Sequence, residues 1–164
     1  MGLLLYGSQL VRLDSKHRPV IPQRFRQALG EAEMRNGLVL TPGFDGCLFL
    51  FTKSLWEGVA KDLMSVHFTS FDARTLHRLS VADAEDVVPD RVGRIIISDP
   101  LRAYAGIGDE ALFVGVWNRL ELWSPSRWAA LKEQHQDQYE KLAEKIYGVL
   151  QQRETRPNPS CQER

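Results

Sequence analysis

An aspartate and an arginine four residues apart occur twice in this chain, as Asp14 with Arg18 and as Asp90 with Arg94. That spacing offers two kinds of chemistry. The carboxylate can accept N–H groups of a reverse turn together with a guanidinium hydrogen, which pins the turn. A basic side chain on such a turn can also meet a phosphate or the edge of a guanine. Lys16 lies within the first pair and Arg91 within the second, while Arg24 and Arg26 follow the first. On a helix after the turn, Arg24 and Arg26 read more simply as solvent-exposed charges.

The elements that must position these residues are themselves repeated. The stretch "LDSKHRPVIPQRFRQALG" at 13–30 has a counterpart in "PDRVGRIIISDPLRAYAG" at 89–106. At an offset of 76, Asp14 matches Asp90, Arg18 matches Arg94, Ile21 matches Ile97, Arg26 matches Arg102 and Gly30 matches Gly106. Each copy predicts a strand, a turn, a short second strand carrying "RPVIP" or "IIIS", and a helix. The first helix starts at Pro22, with Phe25 and Leu29 on one face and Gly30 as its stop. The second is expected to be capped by Asp99 before Pro100, with Leu101 and Ala105 inward and Gly106 as its stop.

Two further strands and a helix follow in each copy. At an offset of 72, Gly43 matches Gly115, Leu48 matches Leu120, Leu50 matches Leu122 and Trp56 matches Trp128. The closing helices are expected to open at Ser54 and Ser126. Each half spans only ~50 residues, too few to close a core alone. The expected domains are a first half at 1–58, linking helices at 59–84, a second half at 85–128, a C-terminal helix at 129–152 and a disordered tail at 153–164. Trp56, Val59, Leu63 and Val66 fall at helical spacing, and Ser70 should cap a second linking helix with Phe71 and Leu79 in the core.

Composition narrows the function classes. Lysine and arginine number 21, aspartate and glutamate 21, so the formal charge is zero. That argues against a general nucleic-acid binder. The charge is uneven, however. Residues 12–26 carry five basic side chains against Asp14, while 30–89 carry nine acidic against five basic. A local field of this kind is what a phosphate feels. Only Cys47 and Cys161 are present, which fits neither a disulfide framework nor a zinc site. His17, His67, His77 and His135 are scattered, and no catalytic or metal-ligand motif occurs. No enzyme, metal or small-molecule cofactor is expected. No signal peptide or membrane-length apolar run is evident, so the expected location is cytoplasmic.

After Ser126, Trp128, Leu131, His135, Tyr139, Leu142, Ile146 and Val149 follow at spacings of three and four, close to a heptad seam. One continuous helix over 126–150 would present that seam to its own sheet or to another subunit. Beyond Gln152 the polar, proline-containing sequence has no periodicity.

The paired turns, "LDSKHRPVIPQRFRQAL" and "DRVGRIII…LRAYAGI", together with "LELWSPSRW", resemble the MraZ family of bacterial transcriptional regulators across residues 6–130. The resemblance implies an α+β fold with two pseudo-symmetric swapped-hairpin halves, related to AbrB-type domains. The β-α-β-β-α halves would share a small barrel-like core, with a long C-terminal helix added. It implies ring-shaped homo-oligomers that bind double-stranded DNA at direct repeats upstream of their own operon, the division and cell-wall cluster, and so a nucleoid-associated location. It favours DNA contact for Lys16, Arg18, Arg91, Arg94 and Arg24, with Asp14 and Asp90 as scaffold. Three positions depart from the family pattern: His17 replaces a turn glycine, Val92 brings no polar group, and Ser98 stands where proline is common. The competing expectation is a protein-interaction or antidote-like module that uses the same scaffold and the C-terminal helix.

Overall fold

A computed structural model describes residues 4–67 and 69–154. The chain divides into two compact units, Met1–Trp128 and Ala129–Arg164. The order of elements in the first unit follows the repeat. Strand β1 (Leu5–Arg12) leads through the first turn to helices α1 (Gln23–Leu29) and α2 (Glu31–Asn36). Strands β2 (Leu38–Pro42) and β3 (Leu48–Thr52) follow, then α3 (Lys53–Met64) and α4 (Phe71–Val81). The second half supplies β4 (Glu85–Val87), α5 (Asp99–Ala105), β5 (Glu110–Trp117), β6 (Arg119–Trp123) and α6 (Pro125–His135).

The strands form one antiparallel sheet in the order β1-β5-β6-β3-β2-β4. The ladder is open, with β1 and β4 at its ends. The first strand of each half pairs with the other half: β1 lies on β5 and β4 on β2. The halves meet where β3 pairs β6. Leu48 faces Leu122, Phe49 faces Glu121 and Leu50 faces Leu120. With the offset of 72, the outer pairs exchange into one another and the Phe49–Glu121 pair lies on the pseudo-twofold axis.

One hydrophobic cluster serves both halves. Ile21, Phe25, Leu48 and Leu50 from the first join Ile97, Leu101, Leu120 and Leu122 from the second. Equivalent positions are buried alike: Phe25 and Leu101 are each 1 % exposed. Removing such side chains from water supplies ~1.5–3 kcal/mol apiece. Neither half holds these contacts without its twin. Aromatic packing also repeats, with Phe51 against Trp56 and Trp123 against Trp128.

Several local expectations are corrected. The second strand of each copy shrinks to a single bridge between Val20 and Arg94. Pro19 and Pro22 have no N–H to donate, so a longer ladder cannot form there. Ser98, not Asp99, caps α5, its side chain accepting from Leu101 N–H. Thr52, not Ser54, caps α3 by accepting from Leu55 N–H. The Ser54 hydroxyl shares a hydrogen bond with Thr52, and Ser126 does the same with Ser124, the residue before α6. Val66, expected on this helix, lies beyond its end at Met64.

Ser70 does cap α4, accepting from Ala73 N–H. Phe71 and Leu79 are not core residues, however. They are 69 % and 67 % exposed, while Ala73 is the buried residue of that helix. The sheet is approached by the small side of α4, where Thr41 donates to the Ser80 carbonyl. Helix α2 was not expected, because its six residues bury none of their side chains and leave no apolar period to read.

The expected continuous C-terminal helix is interrupted. α6 gives way to a 3-10 turn at Gln136–Gln138, after which α7 runs over Tyr139–Glu154. Tyr139, Leu142, Ile146 and Val149 are exposed. The expected disordered tail lies outside the described residues from 155 onward, as does Cys161. No helix among the described residues is long and apolar enough to cross a membrane.

Candidate nucleic-acid interface

The two turns are built alike, atom by atom. Asp14 Oδ1 accepts from the backbone N–H of Lys16 at 2.9 Å and of Arg18 at 3.0 Å. Its Oδ2 takes Arg18 Nε at 2.9 Å and Nη2 at 2.7 Å. Asp90 repeats this with Val92 N–H at 2.9 Å, Arg94 N–H at 3.0 Å and Arg94 Nε at 2.7 Å. Each turn also closes through its backbone, the aspartate N–H donating to the carbonyl of the arginine. The turns are brought side by side where Ile21 N–H donates to the Gly93 carbonyl and Ile95 N–H to that of Pro19.

A carboxylate that accepts several N–H groups holds its charge tightly. The Arg18 side chain, helped by the turn N–H groups, brings the Asp14 carboxyl down to about 2 from its ordinary 3.8. For Asp90 the backbone N–H of Arg94 is the largest influence and its side chain the next, and that carboxyl also lies at about 2. The hydrogen bond to Asp14 raises Arg18 in turn. Both aspartates thus hold their turns through several hydrogen bonds each.

The basic residues divide by what they already touch. Arg18 and Arg94 are half-buried and spend one guanidinium edge on their aspartates. Lys16 and Arg91 are exposed, and no hydrogen bond or ion pair engages their side chains among the described residues. Arg24 is committed elsewhere. It donates from Nη2 to the Tyr6 carbonyl at 2.6 Å and lies over the rings of Tyr6 and Phe25. It engages the Tyr6 carbonyl of edge strand β1.

The equivalent residues Arg26 and Arg102 cross between the halves. Sequence spacing gave no sign of this, because it depends on which turn comes to lie over which helix. Arg26 of α1 runs along the second turn, and a Cβ at Gly93 would sit 2.5 Å from its Cδ. Arg102 of α5 reaches the first turn, with Nη1 3.4 Å from His17 Nδ1. His17 and Gly93 both have positive φ, 56° and 93°. The turn therefore does require the left-handed region, and histidine occupies it at a cost that glycine avoids.

Glu121 is buried, but it accepts from Arg119 and from Trp123 Nε1. Burial pushes the Cys47 thiol up to about 12, far from a reactive thiolate. Among the described residues no three His, Cys, Asp or Glu side chains are grouped to hold a metal ion.

A family model described as "MraZ protein, putative antitoxin-like" matches residues 4–79 and 81–148. A protein of Pelotomaculum thermopropionicum named "Transcriptional regulator MraZ" is 40% identical over 143 residues, which are 87% of this chain and 95% of that protein. Proteins of the same name match from Moorella thermoacetica, at 41% identity over 82% of this chain and 90% of the relative, and from Carboxydothermus hydrogenoformans, at 37% over 90% and 99%. With its doubled turns and exchanged strands, and with matches of this extent to regulators rather than enzymes, the chain belongs to the MraZ family.

Proposed function

We propose that this protein is a DNA-binding transcriptional regulator that reads short direct repeats upstream of its own operon, the division and cell-wall cluster, through its paired turns. One observation carries the reading: two aspartate-braced turns lie side by side and leave the Lys16 and Arg91 side chains without partners among the described residues. A braced turn presents cations without having to order itself on binding, and that lowers the cost of association. Lys16 and Arg91 make the outer contacts. Arg18 and Arg94 offer their remaining edges, and Arg24 supports β1 beside them.

The exchange of first strands between halves supports placing the fold in the swapped-hairpin class related to AbrB-type domains. A chain of zero net charge with a small basic face gains specific affinity by avidity. We therefore read the working form as a ring of identical copies, set against several repeats of double-stranded DNA, in the cytoplasm and at the nucleoid. No cofactor enters this reading. The test is fluorescence anisotropy with a labelled duplex from upstream of the operon, at two salt concentrations, for wild type and Lys16→Ala. Site-specific binding that weakens in the variant and with salt supports the reading. Equal affinity for one repeat and for several would remove the ring from it.

A second reading rests on α7, whose Tyr139, Leu142 and Ile146 stand exposed. They suit a protein partner, as an antidote-like module would require. Truncation after Trp128 separates the two readings. DNA binding kept with a partner lost favours the module, whereas loss of the oligomer favours a ring contact.

A further inference from the structure

We infer that Arg26 and Arg91 form a phosphate-binding cleft beside the second turn. A cavity of about 620 Å³ lies between α1, α2 and the second turn, and Arg26 and Arg91 both line it. The carboxylates in its wall are already engaged, Glu31 by Arg35 and Asp90 by Arg94. The Arg26 side chain makes no hydrogen bond or ion pair among the described residues, and its Nε is buried without an acceptor. A buried donor of this kind costs stability until an acceptor arrives. Gln23 and Gln27 add amide groups to the same wall.

The other half shows why this is not a general feature of the repeat. Arg102, the equivalent of Arg26, shares the buried, unpaired Nε, but its Nη2 donates to Asp99 at 3.0 Å and its Nη1 meets His17. In the first half Gln23 stands in place of Asp99, so Arg26 has no acid to bind. Gly93 stands in place of His17, and only the missing Cβ lets Arg26 lie across the second turn. Two substitutions between the copies therefore free one guanidinium, seat it against the turn and leave it beside unpaired Arg91. Paired guanidinium forks in a concave site suit the tetrahedral oxygens of a phosphate.

The phosphate can come from a DNA backbone or from a free phosphorylated molecule. The DNA source, which we favour, rests on the function proposed above. There the cleft acts as a clamp on the backbone and carries no sequence preference. The experiment compares full-length wild type, Arg26→Gln and Arg26→Lys on the operator duplex and on a scrambled duplex across a salt series. A circular dichroism melt confirms that each variant folds. Arg26→Gln should flatten the salt dependence by about one unit on both duplexes and leave their affinity ratio unchanged. Arg26→Lys should restore part of the slope.

An unchanged slope in folded Arg26→Gln overturns the clamp. Nitrogen-15 spectra of the arginine Nε–H groups, with inorganic phosphate against chloride at equal ionic strength, then separate the sources. If wild type binds neither duplex, the regulator reading fails on its own. A phosphate-specific shift at Arg26 in that case assigns the cleft to a free phosphorylated ligand, and its absence overturns the site.

Discussion

The two halves share one plan and differ in what they leave free. In the first, the turn carries a histidine at φ 56° and an unpaired Lys16. In the second, it carries Gly93, an unpaired Arg91 and the crossing side chain of Arg26. The first half opens with an eight-residue edge strand, the second with a strand of three. Duplication fixed the brace and the core, since Asp14 and Asp90 make the same bonds and Phe25 and Leu101 the same burial. Divergence acted on the surface of the turns. The repeat thus behaves as a common scaffold on which each copy displays its own cations.

The comparison breaks most visibly in the core. Phe25→Ala should cost about 3–5 kcal/mol and Leu101→Ala about 2–5 kcal/mol, measured by urea unfolding. Because the cluster is shared, both variants should unfold in one transition. Separate transitions for the two halves would contradict a single core.

Exchanging the divergent turn residues tests the asymmetry itself. Gly93→His places a side chain against Arg26 and should destabilise by about 1–3 kcal/mol. His17→Gly should raise the melting temperature, because it relieves a left-handed residue worth at most about 1–2 kcal/mol, less the contact with Arg102. Equal effects of the two exchanges would show that the crossing arginines do not distinguish the turns.

A smaller effect is expected in DNA binding. Lys16→Ala and Arg91→Ala should each reduce the slope of affinity against salt by about one unit if each meets a phosphate. Relaxed sequence preference in one variant alone would assign base contact to that turn.

The mildest test is acid. Both braced carboxyls lie at about 2 in the fold and at 3.8 when unbraced. A lowered folded value means that the contribution is complete above the unfolded value and is lost as pH falls through the folded one. Thermal stability should therefore fall between those two values. Asp14→Asn and Asp90→Asn should start from a lower melting temperature and lose less of it across the same window. A difference between the two variants would mean that one brace matters more than the other.

Much of this was legible in the residues, for reasons that separate local from tertiary physics. The offset of 76, the turn braces, Ser70 as a cap and the stops at Gly30 and Gly106 are local grammar, and the structure follows them. The core positions Phe25 and Leu101 followed from helical spacing. The failures arose where a neighbour decides. Phe71 and Leu79 are exposed because α4 turns Ala73 to the sheet. The heptad-like spacing ran through Gln136–Gln138, yet regular spacing alone does not hold a helix unbroken. Arg24 read as a surface charge and is exposed, but the spacing did not show that it also braces Tyr6. Arg26 read the same way and crosses to Gly93, a contact that exists only once both halves are assembled.

The exchange of first strands has a consequence for synthesis. Arg12 waits for Glu110, which is made 98 residues later. At ~5–20 residues per second, a ribosome takes ~5–20 seconds to supply that partner. Until then β1 has an unpaired backbone on both sides, and the first half has no ladder for its opening strand. Whatever meets the nascent chain in that interval, a chaperone or another copy on a neighbouring ribosome, meets it before β5 can. The first strand to leave the ribosome is among the last to be paired.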